Sequence, residues 1–180
     1  MPRISPDEAG GLNVCAFLDM LALSELGEKM LADPAADDGY LIIVGSLPSS
    51  LDLMTSYADH PRKMVRLNKH LSSTAAGRYQ ILSRYWGHYK TQLGLPDFGP
   101  ESQDRYAIQQ IREQQALPQI QAGRFTEAVD RCRNIWASLP GAGYGQHENS
   151  LEKLASAYVE AGGKFSQRDR DWYDAVRKQY

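Results

Sequence analysis

The stretch Ala16-Phe17-Leu18-Asp19-Met20-Leu21-Ala22-Leu23-Ser24-Glu25 constrains the fold more than any other part of the chain. Its apolar residues recur at helical spacing, which predicts an amphipathic helix. Leu18, Leu21 and Ala22 form one stripe, and Glu25 continues it at i+7 from Leu18. A carboxylate therefore points along the apolar face near the end of the run. Desolvation raises a carboxyl pKa, and a carboxyl kept protonated near neutral pH can act as a general acid. The competing reading is a glutamate on the rim of an ordinary core helix, since structural ion pairs also perturb glutamates.

The totals narrow the class. A chain of 180 residues can bury one sizeable core, and 42% hydrophobic with 23% charged residues is ordinary globular composition. A formal net charge of −2 gives a nucleic-acid role no electrostatic support. His60, His70, His88 and His147 are scattered, as are Cys15 and Cys132, and no pair has zinc-ligand spacing. The expectation is no metal and no organic cofactor, with both cysteines free and Cys132 in the core. The N-terminus has no apolar signal-peptide region and no run approaches membrane-spanning length. Synthesis in the cytoplasm without a signal peptide is expected.

The pattern predicts an α+β, helix-dominated chain with a small β element inserted after the first helix. Residues 1–12, with two prolines and Gly10-Gly11, read as a flexible N-terminal arm. A first helix is predicted from about Asn13 to about Leu31, and Tyr40–Val44 is the best strand candidate. Residues 60–70 form a basic patch, read either as a solvated loop or as a surface that attracts an anionic polymer. From Thr74 the stripe Tyr79, Leu82, Trp86, Tyr89, Leu93 predicts a helix closed by Gly94, and another opens at Pro100. Phe125, Ala128, Val129, Cys132, Ile135, Trp136 and Leu139 predict the cleanest amphipathic helix, and Leu151 to Val159 a further one. Residues 164–180 are a C-terminal tail with the spacing of an extra helix, outside a domain expected over 13–163.

Three segments carry chemistry. Ser24-Glu25 ends the first helical run. Ser73-Thr74-Ala75-Ala76-Gly77-Arg78-Tyr79-Gln80 combines small residues, a glycine, a phenol and an amide. Pro140 to Gln146 is a glycine-rich loop that presents Tyr144. Sugar polymers are bound by such mixtures of flat aromatic faces, amide hydrogen bonds and open backbone.

At these residues the chain resembles the bacteriophage lambda endolysin family of lytic transglycosylases. The resemblance rests on Ala16 to Ala22 with Ser24-Glu25; on Asp59-His60-Pro61-Arg62-Lys63; on Ser73-Thr74 with Ala76 to Gln80; on Ala116-Leu117-Pro118; and on Asn134 to Gln146. These stretches stand in the family order and cover roughly residues 12 to 163. The resemblance implies a lysozyme-like fold and cleavage of the β-1,4 bond between N-acetylmuramic acid and N-acetylglucosamine in peptidoglycan. It matches Glu25 to the catalytic glutamate and Tyr144 to an aromatic residue lining the sugar cleft. It also implies substrate contacts from Ser73, Thr74, Gly77, Tyr79, Gln80 and Gln146. It further implies a monomer that a membrane-permeabilising holin releases to act on the wall in the periplasm. Thr74 stands where the wider transglycosylase Ser-x-x-Gly-x-x-Gln element has Ser.

The departures are local. Leu41 follows Gly39-Tyr40 where relatives usually have Asp, Leu23 stands where an aromatic residue is common, and Leu26 follows Glu25 where Gly is usual. They raise the alternative of a peptidoglycan-binding relative with impaired catalysis. A second alternative is a hydrolytic lysozyme, which needs a second carboxylate about 5–9 Å from the first. Asp52 and Asp59 are its candidates.

Overall fold

The computed structural model describes residues 1–145 and 147–178. In chain order the helices are α1 (Pro6–Ala9), α2 (Leu12–Leu26) and α3 (Glu28–Leu31), followed by a 3-10 turn at Pro34–Ala36. A two-residue antiparallel pair, β1 (Val65–Arg66) and β2 (Ser72–Ser73), comes next. Then follow α4 (Ser83–Leu93), α5 (Pro100–Glu113), α6 (Leu117–Gln121), α7 (Phe125–Cys132), α8 (Leu151–Glu160) and α9 (Gln167–Arg177). No described helix is long and apolar enough to cross a membrane. The chain divides into two compact units, one of Met1–Ser24 with Ala107–Tyr180 and one of Glu25–Tyr106.

In the first unit α2 is buried on nearly every side: Val14, Cys15, Ala16, Phe17, Leu18, Met20, Leu21 and Ala22 are all in the core. The helix is therefore a central one, buried on more faces than the single apolar stripe of the expected amphipathic helix. Phe125 on α7 joins an aromatic chain, with ring centroids 6.3 Å from Phe17, 5.0 Å from Tyr158 and 5.5 Å from Phe165. Phe165 passes it on to Tyr173 of α9 at 5.2 Å. The C-terminal tail is thus a docked helix. Ser166 caps it, and the buried Asp169 accepts from the Thr126 hydroxyl at 2.7 Å. Gly123 makes this docking possible: a Cβ there would lie 2.5 Å from the Lys164 carbonyl, on a backbone held at φ +71°. In the N-terminal stretch Ser5 caps α1, and Ile4 and Ala9 are buried.

In the second unit a small apolar cluster of Leu26, Ala36 and Ile42 is packed by Met30, Leu31, Leu51 and Leu53. Three consecutive left-handed residues, Asp37, Asp38 and Gly39, turn the chain before it can extend. The expected strand over Tyr40–Val44 therefore shrinks to two isolated bridges, Ile42 with Leu53 and Ile43 with Ala76. The expected helix from Thr74 is also corrected. Gly77 and Gln80 have positive φ, Ala76 and Ile81 close a tight loop, and helix begins only at Ser83. Gly27, at φ +76°, ends α2 earlier than Leu31. In the first unit the predicted run to Leu139 stops at Cys132, and Trp136 and Leu139 are buried from the turns that follow.

A second cluster in this unit gathers Trp86, Phe98 and His60, with Phe98 at 4.8 Å from Trp86 and 4.7 Å from His60. The Arg62 backbone N–H donates to His60 Nδ1 at 2.9 Å, so Nε2 carries the proton and donates to the Ile81 carbonyl at 2.8 Å. Burial holds the His60 pKa below its ordinary value and the Arg62 charge adds to the effect, against the Ile81 hydrogen bond and Asp59. The unfolded chain therefore takes up a proton that the folded chain refuses. The resulting stability is fully present above about pH 6.5 and is lost as pH falls through the lower folded pKa. Melting temperatures between pH 7 and pH 5 should fall more steeply for the wild type than for His60→Gln, and equal slopes would contradict this assignment.

Candidate active site

Glu25 lies in the last turn of α2 and is half-buried. Its chain neighbour Ser24 is held firmly. The Ser24 and Ser138 hydroxyls are 2.7 Å apart, and the buried Asn149 donates from Nδ2 to the Ser24 carbonyl at 3.1 Å and its hydroxyl at 3.2 Å. The Asn149 N–H donates to the Ser138 carbonyl at 2.8 Å, and Lys153 Nζ donates to Asn149 Oδ1 at 2.9 Å. Asn149 thus satisfies its own amide while pinning the end of α2 that leads into Glu25.

Ser138 and Asn149 are also the two feet of the glycine loop. Within it the Glu148 carboxylate accepts from the Gly141 N–H at 2.7 Å and the Gly143 N–H at 2.8 Å. These bonds, from Gly143 and then Gly141, lower the Glu148 pKa. Gly141, Gly143 and Gly145 all have φ near +70°, a conformation that glycine adopts without a Cβ penalty. Tyr144 donates its hydroxyl to the Asn134 carbonyl at 2.9 Å, and the residue is 55% exposed. The side chain is thus fixed at its hydroxyl end. Gln146 lies outside the described residues.

The second segment belongs to the other unit. Ser73 Oγ accepts from the Ala75 N–H at 3.1 Å. Thr74 Oγ1 accepts from the Ser83 N–H at 3.2 Å and the Ser83 hydroxyl at 2.9 Å, and so caps α4 from nine residues upstream. Gln80 Nε2 donates to the Gly77 carbonyl at 3.0 Å. Tyr79 is only 1% exposed, and its hydroxyl donates to Asp104 Oδ1 at 2.6 Å. Tyr40 donates to the same oxygen at 2.8 Å. Burial and then the Asp104 charge hold the Tyr79 phenol far above its ordinary pKa, so it remains a donor. Tyr79 thus supports the loop from within the core.

Gly77 is fixed by the neighbour it accommodates. Its φ is +79°, and a Cβ there would fall 2.1 Å from Gln103 Oε1. That amide cannot retreat. Gln103 is buried, accepts from the Arg78 N–H at 2.9 Å, and donates to the Tyr40 carbonyl at 3.1 Å and the Phe98 carbonyl at 2.8 Å.

Sequence reasoning missed Gln103, Asp104, Asn149 and Glu148. The signals were faint: two polar residues in the first turns of α5, and an acid and an amide just past a glycine run. A glycine run followed by a carboxylate is a recognisable pattern, because successive backbone N–H groups form an anion nest.

Asp52 and Asp59, the candidates for a second carboxylate, are already engaged. Asp52 pairs with Lys63 at 2.5 Å. Asp59 receives the Trp86 indole N–H at 2.7 Å, Lys90 at 3.2 Å and Arg62 at 3.2 Å. Partial burial pushes the Asp59 carboxyl up, but these bonds and the His60 N–H outweigh it and hold its pKa well below the usual range. Leu26, one of the departures, is buried and fills the apolar cluster. A Cβ on Gly39 would lie 2.5 Å from Leu26 Cδ1. Leu23 and Leu41 are half-buried. Among the described residues no three His, Cys, Asp or Glu side chains gather where they would hold a metal ion.

Known proteins match nearly the whole chain. The endolysin of Escherichia phage lambda is 54% identical over 154 residues, covering 86% of this chain and 94% of its own length. The endolysin of Escherichia phage P2 is 53% identical over 157 residues, covering 84% and 93%. The structure of bacteriophage lambda lysozyme complexed with a chitohexasaccharide superposes with a TM-score of 0.77 at 49% identity, over 92% of this chain and all of that one. A second structure of lysozyme from bacteriophage lambda gives 0.75 at the same identity and coverage. The expected lysozyme-like, helix-dominated fold is therefore present. With residues 15–165 matched by the Endolysin family model, the chain belongs to the Endolysin family.

Proposed function

We propose that the protein is a peptidoglycan lytic transglycosylase that cleaves the β-1,4 bond between N-acetylmuramic acid and N-acetylglucosamine. Membership of the Endolysin family supports action on the bacterial wall, and the sugar-bound lambda lysozyme supports a β-linked glycan as ligand. The observation that carries the single-carboxylate chemistry is the state of the acids. Asp52 and Asp59 are each paired with cationic side chains, and Glu25 follows a residue locked by Ser138 and Asn149. A two-carboxylate mechanism needs a second acid that is available to the reaction. A transglycosylase does not.

Glu25 then protonates the glycosidic oxygen as the bond to C1 breaks. The resulting carboxylate takes the proton of the muramic acid 6-hydroxyl, whose oxygen attacks C1. One C–O bond breaks, one forms, and Glu25 ends protonated as it began, with no water consumed. The nucleophile belongs to the substrate, so its effective concentration is high. The exposed Tyr144 serves as a sugar platform. Ser73, Thr74, Gly77, Tyr79 and Gln80, and independently Gln146, are the residues assigned here to substrate binding. The protein acts as a monomer, without metal or cofactor, after a holin opens the way to the periplasm.

Mass spectrometry of soluble fragments from purified peptidoglycan tests the chemistry. The expected products end in 1,6-anhydromuramic acid. Fragments one water heavier, with reducing ends, would instead establish hydrolysis.

A further inference from the structure

Glu25 stands one residue from the end of α2, where Gly27 at φ +76° turns the chain away. Helix ends open more readily than helix centres, because the last four carbonyls have no partner inside the helix. The Ser24 carbonyl is one of those four. It belongs to the same planar peptide unit as the Glu25 N–H. Whatever holds this carbonyl therefore also holds the backbone from which the Glu25 side chain projects.

Asn149 holds it. An exposed helix end satisfies its carbonyls with water, but this one recruits a side chain from 125 residues away, onto the peptide that precedes Glu25. Asn149 Nδ2 donates to the Ser24 carbonyl at 3.1 Å and to the Ser24 hydroxyl at 3.2 Å. Both residues are buried, so bulk water does not make good a lost amide bond. The amide is anchored on its other side as well. Lys153 Nζ donates to Asn149 Oδ1 at 2.9 Å, which turns the amide nitrogen towards Ser24 and makes it a stronger donor. Both side chains come from the start of α8, where the Ser150 hydroxyl accepts from the Lys153 N–H at 3.2 Å. A capped helix of ten residues thus backs the clamp.

The geometry points to Asn149 as a positioning residue for Glu25, with Lys153 holding the Asn149 amide in turn. Asn149 acts through the Ser24–Glu25 peptide and needs no contact with the substrate. It keeps the carboxyl within the narrow range of positions from which a proton reaches the glycosidic oxygen. A misplacement of about 1 Å costs about 100-fold in rate. This role rests on Glu25 being the acid–base group. It is separate from the place of Asn149 at the foot of the glycine loop. The bond to the Ser138 carbonyl uses the Asn149 backbone N–H, whereas the clamp on Ser24 uses the side chain. A side-chain substitution therefore removes the clamp and leaves the foot in place.

Steady-state kinetics of the full chain on soluble peptidoglycan strands test this role, at a temperature where every variant is folded. Asn149→Ala removes the donor. Asn149→Asp keeps the shape and the contact with Lys153 but turns an acceptor towards the Ser24 carbonyl. Both should lower kcat about 10- to 100-fold, with KM within about twofold of wild type. Thr126→Ala deletes a hydrogen bond to Asp169 in the same unit and is the control for stability; it should leave kcat and KM unchanged. Lys153→Met alters only an exposed residue and serves if the Asn149 variants fail to fold; it should lower kcat about threefold. Wild-type kcat in folded Asn149 variants, or in Lys153→Met, overturns the positioning role. Raised KM with unchanged kcat also overturns it, since Asn149 would then serve the loop that presents Tyr144. So does an equal loss of kcat in Thr126→Ala, because lost stability would then explain the effect. Glu25→Gln is measured beside them. Turnover by that variant overturns the acid–base reading itself, whereas an inactive Glu25→Gln beside fully active Asn149 variants overturns the positioning role alone.

Discussion

Glu25→Gln is expected to lower wall-lysis activity about 10³-fold or more, the range lost when a positioned general acid–base is removed. Glutamine has nearly the same shape and can accept a hydrogen bond, but it has no proton to give the leaving oxygen and no negative charge to take one back. The melting temperature should stay within about 2 °C of wild type, since Glu25 is only half-buried and the neighbouring Ser24 keeps its bonds to Ser138 and Asn149. Binding to insoluble peptidoglycan should persist. The pairing of retained binding with lost turnover separates a chemical role from a structural one. A variant that lyses walls at more than about a tenth of the wild-type rate would remove Glu25 from the mechanism. A wild type that binds walls but releases no fragments would make the protein a wall-binding relative of an enzyme, with Leu23, Leu26 and Leu41 as the places to look.

Gly77→Ala should be the most destabilising single-methyl change in the Ser73–Gln80 segment, at about 3–5 kcal/mol. Two costs combine. Alanine at φ +79° is strained, and its Cβ would lie 2.1 Å from an amide oxygen that belongs to Gln103. A free glutamine would swing away at little cost. Gln103 cannot do so without leaving the Arg78 N–H and the Tyr40 and Phe98 carbonyls unpaired in the core. For a chain of this length the melting temperature should fall by about 10 °C. A double-mutant cycle isolates the cause. In a Gln103→Ala background the same glycine change should cost only about 1 kcal/mol, because the collision is gone and only the backbone strain remains. Additive effects would mean that the two positions act independently and that the close approach has no energetic consequence.

These two residues also show what can be read from a sequence and what cannot. Glu25 was legible because helical spacing alone places it after Leu18 and Leu21, and the helix is there over Leu12–Leu26. Gly77 was legible only as a glycine at an expected helix start, and neither the turn it occupies nor the reason for it was. Gln103 is twenty-six residues further on, and nothing local to either position signals the contact. Tyr79 misled for the same reason. Its spacing with Trp86 suggested one helix, whereas a loop closed by Ala76 and Ile81 carries it into the core, where Asp104 receives it. The strand expected at Tyr40–Val44 failed because β-branched composition reports a preference for extension, while the turn ahead of it, from Asp37 to Gly39, decides how much of the segment extends.

The paired feet of the glycine loop have a consequence of their own. Ser138 and Asn149 bond to each other and both bond to Ser24, so everything between them begins and ends at one fixed point. The loop is in effect a cassette. Its interior can lengthen, shorten or exchange its aromatic residue without passing strain to the helix end that leads into Glu25. A lineage can therefore vary this loop and the end of α2 on separate schedules.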